Sequence, residues 1–149
     1  MSLEDCRYAF ILISDVKYWN RLCEQNRNRE GIQAFVRKNH VGPVATQKLL
    51  FYVKRPMMQI RGVSDFIERL AGDYEELWKK YGGESCFESF NEYCTFIHNR
   101  RIVTFVRFKN FMELEHPVTS DVIAKVLGLP KVPRGGKYIN RETANQLTV

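Results

Sequence analysis

The chain lacks any apolar run long enough to cross a bilayer: its densest stretch, Tyr8 to Ile13, falls far short of the ~20 residues a transmembrane helix needs. It is poor in glycine and proline, with nine and five among 149 residues, and it carries no low-complexity tract and no internal repeat. Collagen-like and long disordered architectures are thereby excluded. It has four cysteines (Cys6, Cys23, Cys86 and Cys94) and no CxxC pair. With acids rather than bases at Glu4 and Asp5, the N-terminus does not read as a secretory signal, so the cysteines are expected as reduced thiols and the protein as cytoplasmic. Cys86, Cys94 and His98 are close in sequence, but no fourth ligand accompanies them, and no metal or cofactor is expected. GxSxG, HExxH, Walker and Rossmann motifs are all missing, and His40, His98 and His116 stand apart from one another.

What remains is an ordinary globular composition, 44% hydrophobic and 27% charged, at the usual length of one domain. Such a chain buries about two thirds of the surface it exposes when unfolded. Lysine and arginine number 23 against 17 acids, a net charge of +6. A small basic domain points to an anionic partner, most often nucleic acid.

Hydrophobic periodicity outlines the elements. Arg7 to Ser14 is dense in β-branched and aromatic residues and reads as a central strand. Ser14 or Asp15 can then cap a helix whose Val16, Trp19, Leu22 and Cys23 recur at helical spacing, with the polar Gln25 to Arg29 ending it. Gly31 to Lys38 alternates as a strand, Asn39 to Gln47 is a loop around Gly42-Pro43, and Lys48 to Lys54 is a buried strand. Met57 to Arg69 alternates around Gly62, which suggests a bulge. Asp73 to Tyr81 reads as a helix stopped by Gly82-Gly83, and Glu84 to Ile97 as a short helix or loop. Arg101 to Phe108 is a strand, Thr119 to Leu127 a helix ended by Gly128, and the residues from about 130 an irregular tail. Strands and helices do not alternate regularly, so an α+β fold is expected: a small mixed β-barrel with flanking helices, rather than a doubly wound sheet.

The order of these segments resembles the PUA-like superfamily of small barrels, which includes the PUA, ASCH, EVE and YTH domains. Tyr8 to Ser14 resembles the opening strand of an EVE or ASCH domain, followed by a helix carrying Trp19. Gly31 to Arg37 resembles the second strand, Lys48 to Val53 the third, and Gln59 to Arg69 the long strand after it. The resemblance covers about the first 110 residues and implies that residues 1–149 form one PUA-like domain. ASCH sequences typically have a lysine two residues after the glycine preceding their second strand, and ASCH amidohydrolases are thought to use it with a threonine and a glutamate. Here Gln33 stands at that spacing and can act as neither base nor charge. The turn before the third strand also differs, with Thr46-Gln47 in place of the Gly-Asp common in EVE sequences.

Charge and resemblance together imply binding of RNA or a modified nucleotide. The candidate nucleic-acid-binding residues are Arg27, Arg29, Arg37, Lys38, His40 and Lys48, since lysine and arginine neutralise phosphates; the same residues would otherwise be a solvated face. A base pocket is expected beside the first helix, between Asp15–Gln25 and the loop Asn39–Thr46, with Ser14, Tyr18, Trp19 and Asn20 as candidates. An aromatic wall there would stack a base; alternatively Trp19 completes the core stripe and Tyr18 faces outward. Arg101 and Arg107 share one strand face, and Lys131, Arg134 and Lys137 accompany Gly135-Gly136 in the tail. Asp65 and Glu68 are placed where either could pair with Lys48 or Thr46. Two other readings stay open: an ASCH-type amidohydrolase acting on a modified nucleoside, and a protein-interaction module. Oligomeric state is not legible.

Overall fold

The computed structural model describes residues 6–28, 31–38 and 42–148. Six strands form one mixed sheet: β1 (Ala9–Ser14), β2 (Gln33–Arg37), β3 (Lys48–Val53), β4 (Gln59–Asp73), β5 (Ile102–Thr119) and β6 (Lys137–Ile139). Their hydrogen-bonded order is β2-β5-β4-β3-β1-β6. Only β1 and β3 run parallel, with Ala9 opposite Lys48 and Ser14 opposite Val53. The other four pairings are antiparallel. The expected α+β class is therefore borne out. The ladder order is linear, ending at β2 and β6, so these strands do not close through a continuous ladder.

The helices are α1 (Val16–Asn28), α2 (Tyr74–Tyr81), α3 (Phe90–Phe96), α4 (Ser120–Leu127) and α5 (Arg141–Thr148). Asp15 caps α1, its carboxylate accepting the Tyr18 amide at 2.7 Å, and Asp73 likewise caps α2 by accepting from Glu75 and Glu76. Ser89 caps α3 through the Glu92 amide.

Both faces of the sheet are covered. Phe10, Leu12, Leu49, Phe51 and Val53 join a core with Trp19 and Leu22 of α1 and with Tyr93 and Ile97. The alternate residues Ala9, Ile11, Leu50 and Tyr52 pack with Ile123 of α4 and Ala144 and Leu147 of α5. This is why β1 and β3 read as unbroken apolar runs: burial on both faces removes the polar alternation of a half-exposed strand. It also corrects the expectation of an irregular tail. From residue 137 the chain adds β6 antiparallel to β1 and then α5, which closes the second face. Gly136, at φ 87°, permits the approach, because a side chain there would run into the Phe10 ring and the Ile11 carbonyl.

Two strands run longer than their periodicity indicated. β4 has 15 residues and β5 has 18. Their pairing slips between Ile60 and Gly62, so the bulge expected at Gly62 is present. No described helix is long and apolar enough to cross a membrane.

Candidate nucleic-acid interface

Helix α1 lies between the sheet and the segment running from Gly83 through α3. Trp19 points inward. It is 4% exposed and packs on Phe51 and Phe111 at centroid distances of 5.9 and 5.4 Å, with its ring over Gly62. Trp19 is therefore core. Ser14 is buried and its hydroxyl donates to the Asp15 carbonyl at 3.0 Å, while Asn20 is exposed. Neither lines the clefts beside α1.

Tyr18 does line one. It is buried rather than outward-facing and stacks on Phe35 at 4.4 Å, with the Phe87 and Phe96 rings edge-on at 5.8 and 5.5 Å. Its hydroxyl accepts the Val36 amide at 2.8 Å, satisfying a donor on the edge strand β2 that would otherwise be orphaned. Burial pushes the phenol well above its ordinary pKa, so Tyr18 stays neutral.

Two clefts flank α1. One, of about 340 Å³, has Tyr18, Phe87 and Phe96 as its floor and Lys17, Thr95 and Glu92 among its lining. The other, of about 390 Å³, is lined by Gln25, Asn28, Ser85, Glu24 and Glu88. Arg21 borders both: its Nη2 donates to the Cys86 carbonyl at 2.7 Å and to Glu92 at 2.5 Å, tying α1 to the opposite wall. The two clefts described beside the first helix have the Gly83–Phe96 segment as their far wall; the expected wall, the Asn39–Thr46 loop, lies partly outside the described residues. Asn39 to Val41 lie outside the described residues, His40 among them, as does Arg29. Phe87, Phe96, Lys17 and Arg21 were not singled out from the sequence. A signal was present: Phe90, Tyr93 and Ile97 repeat at helical spacing behind the Ser89 cap, which places an aromatic-rich helix opposite α1.

The expected basic residues separate into two groups. Arg27 is held by Glu113 through contacts of 2.7 and 3.1 Å, and Lys48 is ion-paired with Asp65. Arg107 is bidentate to Glu84 at 2.7 and 2.9 Å, reaches Glu68 at 3.3 Å and lies over the Tyr81 ring. Arg37 and Lys38, at the end of β2, make no such pair among the described residues. Lys38 Nζ sits 5.0 Å from the centroid of the Phe96 ring, beside the aromatic cleft.

Gln33 is 1% exposed and structural: its Nε2 donates to the Leu22 carbonyl at 3.2 Å and to Gln25 at 2.9 Å, and Gln25 in turn donates to the Glu84 and Ser85 carbonyls. Thr46, Lys48 and Asp65 do come together. The Thr46 hydroxyl, however, donates to the Lys48 carbonyl at 3.4 Å, and Asp65 also accepts from Asn110 at 2.8 Å. Both hydrogen bonds, Lys48 first, hold the Asp65 carboxyl below its ordinary pKa. Among the described residues no three histidine, cysteine or carboxylate side chains gather as a metal site requires.

No protein-family model and no curated protein matches the sequence. Solved structures do match. The ASCH protein of Zymomonas mobilis superposes with a TM-score of 0.74 at 15% identity, covering 95% of this chain and 94% of that one. A serine-to-alanine variant of the Zymomonas protein gives 0.73 at 15% identity, over 96% of each chain. A tyrosine-to-phenylalanine variant gives 0.72 at the same identity, over 95% of this chain and 96% of that one. At that identity the likeness is one of fold, and at 95% of this chain it extends past the first 110 residues. The fold is that of the Zymomonas ASCH protein.

Proposed function

We propose that the chain is a binding domain for RNA or a modified nucleotide, taking a base in the aromatic cleft beside α1. The observation that carries this reading is the composition of that cleft. Phe87 and Phe96 present ring surface over the buried Tyr18, and Lys17, Arg21 and Lys38 stand at the rim. A volume of about 340 Å³ is ample for a nucleoside, and a flat base gains from aromatic contact while the cations meet the backbone. Of the expected basic residues that are described, Arg37 and Lys38 make no ion pair among the described residues, whereas Arg27 and Lys48 would first have to leave Glu113 and Asp65.

The test is binding to single-stranded RNA, tRNA and DNA with and without base methylation, each at two salt concentrations. Phe96→Ala is expected to weaken base binding by about 1–3 kcal/mol, and raising salt to weaken it steeply. Undiminished affinity in a folded Phe96→Ala protein would remove the cleft as the base site.

A second reading, an ASCH-type amidohydrolase acting on a modified nucleoside, draws on the meeting of Thr46, Lys48 and Asp65. It is the weaker one. Gln33 replaces the lysine that such enzymes are thought to use, and Lys48 is engaged by an acid rather than poised beside either cleft. Turnover of an N-acylated nucleoside that is abolished by Lys48→Met would favour it.

A further inference from the structure

The two clefts beside α1 adjoin. Arg21, Cys86 and Phe87 line both, so one groove runs along the helix with Arg21 at its waist. The halves differ in chemistry. Tyr18, Phe87 and Phe96 floor the one near the start of α1, whereas Glu24 and Asn28 near its end face Ser85 and Glu88 in the other. Their volumes, about 340 and 390 Å³, are each sufficient for one nucleoside.

Arg21 is held in place and keeps an open edge. Both of its hydrogen bonds leave from Nη2, to the Cys86 carbonyl at 2.7 Å and to Glu92 at 2.5 Å. Nε and Nη1 donate to nothing among the described residues, and the guanidinium lies 5.5 Å from the centroid of the Phe87 ring. A guanidinium offers five N–H donors in a planar fork, so one that is already oriented is suited to an oxyanion at its remaining edge. The Arg21 and Glu92 side chains are 24% and 40% exposed, and a pair that open to solvent holds only weakly. Lys17 lines the aromatic half alone. In the polar half Glu24 and Glu88 disfavour a further phosphate; as carboxylates they only accept, which suits the hydroxyl and amino groups of a nucleoside. The groove therefore offers one seat for a phosphate between two lobes for uncharged groups.

We propose that this groove seats a dinucleotide step of a single strand, with the linking phosphodiester on Arg21, one base in the aromatic half and the neighbouring nucleoside in the polar half. The proposal rests on the aromatic half being a base site, and it selects a strand over a lone nucleotide as the ligand.

The experiment is calorimetric titration at low salt with adenosine, adenosine monophosphate and the dinucleotide ApA. The proteins are the wild type, Arg21→Gln and Glu92→Gln, with a thermal melt of each. ApA is expected to bind the wild type about tenfold more tightly than the monophosphate, because the second nucleoside adds its own contacts. Arg21→Gln should lower affinity for ApA and the monophosphate about tenfold, against a much smaller loss for adenosine, which carries no phosphate. Glu92→Gln keeps an oxygen for Arg21 and for the Glu88 amide that Glu92 accepts, and it removes a negative charge beside the phosphate seat. It should strengthen ApA binding about threefold and leave adenosine unchanged, and it decides the matter if Arg21→Gln does not fold. Backbone amide resonances shifted by ApA and not by the monophosphate should include those of Asn28 and Ser85. ApA binding no tighter than the monophosphate, wild-type ApA affinity in folded Arg21→Gln, or no gain in Glu92→Gln overturns the proposal. If adenosine binds and is weakened by Phe96→Ala while ApA gains nothing over the monophosphate, only the dinucleotide step fails. If Phe96→Ala leaves adenosine affinity unchanged, the base site itself fails and the dinucleotide step with it.

Discussion

Gly62→Ala tests the assignment of Trp19 to the core more sharply than truncating Trp19 alone. A methyl at Gly62 would overlap the Trp19 ring at Cη2, lie 3.1 Å from Cζ3 and 3.1 Å from the Met112 carbonyl oxygen. Overpacking of this kind costs about 1–3 kcal/mol. Trp19→Ala should cost about 3–5 kcal/mol, since it empties a site bounded by Phe51 and Phe111. Were the two independent, the double variant would lose about 4–8 kcal/mol. They share the same space, however. Once the indole is gone, the new methyl meets only the Met112 carbonyl at a tight but tolerable distance and refills part of the cavity. The double variant should therefore be no less stable than Trp19→Ala by more than a few tenths of a kcal/mol, a coupling of about 1–3 kcal/mol. Urea denaturation of all four proteins measures it, with the slope m confirming a common unfolding transition. Additivity within about 0.5 kcal/mol would mean that Trp19 does not rest on Gly62. The indole would then be available to the cleft after all.

Two further expectations concern titrating groups. Burial first, and Glu113 next, push the Cys23 thiol up to about 12, and burial pushes Cys86 up to about 11. With folded values raised, these thiols contribute stability below the unfolded value near 8.5 that is lost as pH rises above it. At pH 8 a thiol reagent should label the exposed Cys6 promptly and reach Cys23 and Cys86 only on unfolding, and prompt labelling of either in Cys6→Ser would refute their burial. The Asp65 carboxyl is depressed by Lys48 and Asn110, so its contribution is present above the unfolded value of about 4 and lost as pH falls below it. Melting temperature between pH 6 and 3 should fall less steeply in Lys48→Met than in the wild type; parallel curves would show the pair to be energetically silent.

Much of the fold was legible because burial leaves a strong mark on composition. β1 and β3 announce themselves as apolar runs, Asp15 and Asp73 stand where caps belong, and Gly62 interrupts an alternating strand where the ladder slips. The tail was not legible for a matching reason. β6 is three residues long and its flanks carry Pro133 and Gly135-Gly136, so no periodicity develops; its pairing with β1 is a tertiary fact. The far wall of the cleft was missed similarly, because α3 has only seven residues and its aromatic spacing is short.

Charge was the least legible property, and the reason bears on function. Net charge reports how many cations exceed the acids, not which of them are matched. Arg27, Lys48 and Arg107 look alike in sequence to Arg37 and Lys38, yet Glu113, Asp65 and Glu84 each reach one of the first three from far along the chain. An exposed pair such as Arg27 with Glu113 adds little stability, but it still lowers the local potential that a phosphate would meet. Arg107 is the stronger case, since two carboxylates and the Tyr81 ring saturate a guanidinium that the strand pattern offers as a phosphate ligand. The excess charge is therefore focused by subtraction. At the end of β2, Lys38 lies over Phe96 and Arg100 donates to the Lys38 carbonyl, so cations gather beside the cleft that offers ring surface. For the function proposed above, a ligand carrying both a phosphate and an aromatic base is the chemistry that this juxtaposition would complement.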